Sequence, residues 1–261
     1  MSNLFRNLSA FMFPLFLALA PAPARAQAAP VPEVGVDERL GQTVPLDLVL
    51  KDEEGRPISL RALVDKPTLL TLNYFRCSGI CTPQLNGMAE VLGKVQARPG
   101  LDFQVITVSF DERDTFEMAA QKRTNYLAEI HRPVPQAGWR FLTGPAGTTK
   151  ALADAVGFRF RREGDSFIHA GCAIVLSPSG RITRYLYGTS YLPADVDLAV
   201  QEAARNEVQP SINKLLKFCF SYDPQGRRYV LNLTSIAAAL TLVLAAAFVG
   251  FLVLRKGKEN R

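Results

Sequence analysis

Histidine is scarce in this chain: 261 residues contain two, His131 and His169, beside four cysteines, four methionines and one tryptophan. Any imidazole chemistry therefore rests on one of two positions. The patterns GxxxxGK[ST], H-E-x-x-H and G-x-S-x-G are absent. Nucleotide-phosphate, zinc-protease and serine-hydrolase readings thus lack their starting residues. No internal repeat is visible, and no long block of one charge sign. Lys+Arg exceed Asp+Glu by 30 to 24, for a net charge of +6. The basic residues are scattered, with small clusters at Arg159, Arg161 and Arg162 and at Arg227 and Arg228. They read as a solvated face near anionic lipid, not as a nucleic-acid surface.

Apolar runs, in contrast, are plentiful. Residues 1–26 combine a short charged start, the stretch LSAFMFPLFLALA and an Ala-x-Ala site at Ala24 to Ala26. That is the pattern of a cleaved secretory signal. Residues 27–43, rich in Pro and Ala, read as a linker. Near the other end, Leu233 to Leu254 carries no charge and is long enough to cross about 30 Å of hydrocarbon as a helix. Arg255, Lys256, Lys258 and Arg261 follow it and favour a cytoplasmic tail, 255–261. The expected organisation is a folded domain over 44–210, a juxtamembrane segment over 211–232 and a transmembrane helix over 233–254. An export signal in front places that domain in the periplasm, tethered to the inner membrane by its C-terminus.

Between these ends, VPLDLVL, the turn KDEEGRP and ISLRALV form an N-terminal hairpin extension. TLLTLNYF from Thr68 is a nearly continuous apolar run of the kind found in a strand buried on both faces. Apolar residues then recur at three and four places from Thr82 to Gln96, which predicts a helix with Thr82 as N-cap and Pro83 at its first position. Strands at Phe103–Phe110 and WRFLTG alternate with helices at Thr115–Ile130 and TTKALADAVGF. A hairpin, GCAIVLSPSGRITRYLYG, and a helix over Pro193–Asn206 close the domain. Such alternation is an α/β, thioredoxin-like fold.

Cys77 and Cys81 fall where the first buried strand turns into a helix, the edge on which open α/β sheets place their chemistry. One helical turn apart, both sulfurs can point at one spot. The helix N-terminus and Arg76 both favour thiolate. A structural disulfide would close so short a loop that it removes little unfolded-state entropy. Dithiol redox pairs are usually CxxC, and the extra residue here admits an ion between the sulfurs. Two thiolates suit copper(I) or zinc, and one nitrogen ligand would complete the site. His131, at a helix end, reads as exposed. His169, ahead of the hairpin strand, is a core or loop residue unless the fold brings it beside the cysteines. Cys172 is expected to pack inward as a small apolar side chain. Cys219 is open between burial, a partner contact and pairing with Cys172. Asp111, Glu112 and Asp114 read as a polar loop, with a docking patch for a basic partner as the alternative.

YFRCSGICTPQLNG, followed much later by IHAGCAIVLSPSGRITRYLYG, resembles the Sco/SenC family of thioredoxin-like copper proteins. The resemblance covers roughly Val44 to Asn206. FCFSYDPQGRRY, with its Cys-x-x-Tyr-Asp-Pro, is similar to a branch anchored at the C-terminus. It departs from the common pattern in holding Ser78 where Pro usually follows the first cysteine. The resemblance implies a metallochaperone, without enzymatic turnover, that binds copper(I) and copper(II) through Cys77, Cys81 and His169. Its implied partner is a respiratory oxidase subunit with a copper site, the CuA centre of cytochrome c oxidase. Other periplasmic copper chaperones or thiol reductants would act beside it. The rival reading is a thiol-disulfide reductase with Cys77 and Cys81 as its redox-active pair.

Overall fold

A computed structural model of the chain describes residues 34–77, 79–211, 220–223, 228–231, 241 and 244. In chain order the elements are β1 (Gly35–Val36), β2 (Val49–Lys51), β3 (Pro57–Ser59), α1 (Leu60–Leu63), β4 (Thr68–Asn73), α2 (Cys81–Leu92), β5 (Gln104–Ser109) and α3 (Phe116–Glu129). They continue with β6 (Trp139–Leu142), α4 (Ala146–Ala155), β7 (Phe158–Arg159), β8 (Arg161–Glu163), β9 (Ser166–Ile168), β10 (Cys172–Leu176), β11 (Ile182–Tyr187) and α5 (Pro193–Ala204). An antiparallel pair, β12 (Phe220–Asp223) and β13 (Arg228–Leu231), lies within the predicted juxtamembrane segment.

The central sheet has the order β11-β10-β4-β5-β6. β4, β5 and β6 are parallel, and β10 runs antiparallel to both of its neighbours. This mixed sheet with helices on both faces agrees with the α/β, thioredoxin-like expectation. Every residue of β4 and of β5 is buried, which is why both read as largely apolar runs without an alternating charged face. On one face Leu70, Leu72, Ile106, Val108 and Ile174 pack against Leu152 and Val156 of the α4 region. On the other, Leu69, Val105, Phe141 and Val175 pack against Leu85 and Met88 of α2 and Val200 of α5. The N-terminal hairpin is present, though shorter than its sequence implied: β2 pairs with β3, and Ser59 caps α1 through its hydroxyl.

Three expectations are corrected. Residues 34–43 are part of the fold rather than linker: β1 pairs with β7, Arg39 N–H donates to the Tyr185 hydroxyl, and Gly41 N–H to Ile182 O. Gly157 makes this possible. Its φ is +64°, and a Cβ there would lie 1.8 Å from the carbonyl oxygen of Asp37. Helix α2 starts at Cys81 and ends at Leu92, not at Thr82 and Gln96. Its N-cap, Ile80, makes no side-chain bond, while the Thr82 hydroxyl turns back to the Cys77 carbonyl at 3.4 Å. Pro83 falls in the first turn, where its missing N–H leaves no bond unmade. Finally, β7 begins at Phe158, the last residue of the expected third helix, and β8 and β9 occupy a stretch for which no elements were expected.

Among the described residues no helix is long and apolar enough to cross a membrane. The secretory signal, the transmembrane helix predicted over 233–254, except for residues 241 and 244, the cytoplasmic tail and Cys219 lie outside the described residues.

Candidate metal centre

β4 delivers the chain to the edge of the sheet, where Tyr74, Phe75 and Arg76 lead into Cys77, and α2 opens at Cys81. His169 arrives from the opposite direction, between β9 and β10, on the segment that runs back beside β4. The fold thus joins residues 88 positions apart. One ligand atom each from Cys77, Cys81 and His169 lies within 4.8 Å of the others. All three side chains are buried, at 9, 1 and 7% exposure. Cys77 and Cys81 are free thiols.

The histidine is oriented for ligation. Its Nδ1 lies 3.0 Å from the carbonyl oxygen of Ala170, which can only accept, so the ring proton sits there. Nε2 is left to face the Cys81 sulfur at 2.9 Å. A carbonyl on one nitrogen and an open lone pair on the other is how proteins fix a metal-binding imidazole. Phe110, Phe158 and Tyr74 wall the ring, with centroids at 5.3, 5.9 and 6.0 Å.

The two thiols differ. The Cys81 thiol beside it holds the Cys77 thiol down at about 3 against the burial that opposes it, and the Tyr74 hydroxyl contributes. The Gly79 N–H also donates to the Cys77 sulfur at 3.2 Å. Burial, and then the Cys77 thiolate, push the Cys81 thiol up. The metal-free pair is therefore one thiolate and one thiol.

Arg76 does not act as the sequence implied. Its guanidinium is turned to Asp114 at 3.1 Å and to Asp111 at 3.5 Å. Its charge is thereby matched away from the thiols. Asp114 also accepts from Phe75 N–H and, at 2.7 Å, from the Ser109 hydroxyl. These carboxylates point inward and fasten the cysteine loop to β5, so neither offers a docking patch. Glu112 alone of the three is exposed.

His131 is exposed just past α3, as expected. Cys172 is wholly buried at the start of β10, also as expected, and its carbonyl accepts from Gln84 Nε2. Tyr74, Asp111 and Asp114 were not identified from sequence as parts of the centre. The visible signal was their place directly after the ends of two buried parallel strands.

Two sulfurs and one oriented imidazole in a buried cluster form a soft donor set, suited to copper or zinc and unsuited to magnesium or calcium. Known proteins agree with this chemistry. The SCO1/SenC family profile matches residues 37–205. The chain is 25% identical over 150 residues to the SCO1 protein homolog of Bacillus subtilis (strain 168), covering 56% of this chain and 74% of that one. It is 33% identical to a candidate electron transfer protein of Aquifex aeolicus VF5 whose crystal structure covers 64% of this chain and 95% of its own, with a TM-score of 0.58. The copper-bound ScoI of Arabidopsis thaliana shares the fold at 21% identity and a TM-score of 0.50, over 64% of this chain and 99% of that one. A profile that takes in both cysteines, the distant histidine and the sheet that joins them shows that this chain belongs to the Sco/SenC family.

Proposed function

We propose that this chain is a copper chaperone that binds one copper ion, its cargo, through Cys77, Cys81 and His169, and passes it to a copper-bearing subunit of a membrane respiratory oxidase. The convergence of these three ligand atoms within 4.8 Å carries the reading. Family membership and a copper-bound relative of the same fold support the choice of metal. As thiolates, Cys77 and Cys81 retain copper(I); the borderline imidazole of His169 adds the nitrogen that copper(II) prefers. His169 is the ligand that leaves first when cargo moves on. The client subunit, inferred to carry the CuA site of cytochrome c oxidase, lies in the same compartment as the domain, the periplasm. A signal over 1–26 and an anchor over 233–254 put the domain there.

Copper titration of the full chain and of His169→Ala tests the site. Loss of the copper(II) spectrum with retained copper(I) binding is expected. Unchanged copper(II) affinity in the variant would refute the three-ligand site. For topology, a reporter fused after Arg261 is expected to be active only in the cytoplasm, and periplasmic activity would overturn the anchor.

The unequal thiols favour one second reading, thiol-disulfide reduction of a client. Cys77, the less buried of the two and the one held as thiolate, would attack a disulfide, and Cys81 would resolve the mixed disulfide, leaving Cys77–Cys81 oxidised and the client's two thiols reduced. Client reduction that survives in His169→Ala would place this chemistry ahead of metal transfer.

A further inference from the structure

Three arginines from three separate segments converge on one buried carboxylate, Asp111, whose side chain is 0% exposed. Arg113, two residues on, donates from Nε and Nη2 at 3.0 and 2.9 Å. Arg76, on the cysteine loop, places Nη2 at 3.5 Å. Arg162, on β8, places Nη2 at 3.7 Å. Arg113 also reaches across to the hairpin's tip, where Nη1 meets the Asp165 carboxylate at 3.3 Å and Nη2 donates to the Asp165 carbonyl at 3.0 Å.

The hairpin needs such a tie. β8 and β9 hydrogen-bond to each other as a two-stranded unit outside the central sheet, and Arg161 to Ser166 are exposed. Besides the ion pairs, it leans on aromatic contacts: Phe160 stacks on Phe110 at 4.2 Å, and Phe167 meets Tyr74 edge-on at 5.1 Å. The Arg162 guanidinium lies 4.6 Å over the Phe167 ring. One residue past β9 stands His169. The cysteines, in contrast, are held by β4 and α2, both packed in the core.

We infer that Asp111 is a positioning residue: it clasps the hairpin that carries His169 to the loop that carries Cys77, and so sets the distance between the imidazole and the two sulfurs. The inference rests on the reading that these three residues hold one ion. Asp111 touches none of the three. Its effect is on the state that needs all of them, copper(II), more than on the state that two thiolates satisfy, copper(I).

The test uses the full chain as native protein, Asp111→Asn, His169→Ala and the double variant. In metal-free Asp111→Asn, amide exchange over 161–168 is expected to rise about tenfold or more while β4 and β5 stay protected. Copper(II) affinity is expected to fall about 10- to 100-fold and copper(I) affinity to change less than about threefold. Adding Asp111→Asn to His169→Ala should cost copper(II) nothing further. Native exchange in the hairpin, or an equal fall in both affinities, would overturn the inference. Should Asp111→Asn not fold, the pair Arg113→Gln and Arg162→Gln removes both of the hairpin's ties to Asp111 from partly exposed positions, and unaltered hairpin exchange there would overturn it equally. If His169→Ala leaves copper binding intact, the three-ligand reading fails, and the metal-free exchange still decides whether Asp111 holds the hairpin.

Discussion

Cys77 and Cys81 are chemically identical residues made unlike by a few ångströms of environment. Iodoacetamide should exploit the difference in metal-free protein. An ordinary thiol is less than about 0.1% thiolate at pH 5 and gains roughly tenfold with each pH unit. Cys77, held at about 3, is ionised throughout, so its alkylation rate is expected to be flat from pH 5 to 8 with Cys81 protected. Peptide mapping of the labelled chain reads this out, and a tenfold rise per unit at Cys77 would contradict it. A second residue-level prediction concerns Gly87, where a Cβ would lie 1.9 Å from the carbonyl oxygen of Thr189. Gly87→Ala forces α2 and the loop before α5 apart, and a loss of about 1–3 kcal/mol is expected by urea unfolding. The sequence made the cysteine pair legible because its two members are neighbours along one turn. His169 was legible through family resemblance alone, Asp111 only as a member of an acidic loop and Tyr74 not at all, since their partners are set by folding. Arg76 was misread for the same reason: a charge near a thiol in sequence was spent on carboxylates near it in space.

Elements were most legible where burial is continuous. β4, β5 and β10 are apolar runs bounded by turns, and α3 shows its cap, Thr115, whose hydroxyl accepts from Met118 N–H. Thr115→Ala should cost about 1 kcal/mol in urea unfolding and leave copper affinity unchanged, because α3 supplies no ligand. The stretch 158–168 was illegible. Phe158 and Phe160 alternate with Arg159 and Arg161 over too few residues to establish a period of two, and most of the hairpin faces water. Its partners are a distant β1, a buried carboxylate and an aromatic cluster, none of which local pattern reports. The most consequential short element for the imidazole thus carried the weakest signal.

At the scale of the molecule, charge separates what composition had merged. Residues 34–211 hold 20 Lys+Arg against 21 Asp+Glu, so the excess that gives +6 belongs to the flanks. The folded domain is nearly neutral, and the basic character belongs to the segments before residue 34 and after residue 211. The domain's boundary was also placed too late. A chain beginning at residue 44 lacks β1, the Arg39 bond to Tyr185 and the Gly41 bond to Ile182. Relative to one beginning at residue 34, it is expected to lose roughly 2–5 kcal/mol, at about 1 kcal/mol for each such bond, with a lower Tm by calorimetry.

The unlike thiols have a last consequence, in the balance of charge. One thiolate, one thiol and an imidazole proton-free at Nε2 carry a single negative charge. Under the proposed function, taking up copper(I) exchanges the Cys81 proton for another univalent cation, and that charge is unchanged. Loading with the reduced ion is then isocoulombic: the net charge enclosed by Phe110, Phe158 and Tyr74 stays the same. Copper(II) brings one positive charge more, so under the same reading the site with oxidised cargo is neutral.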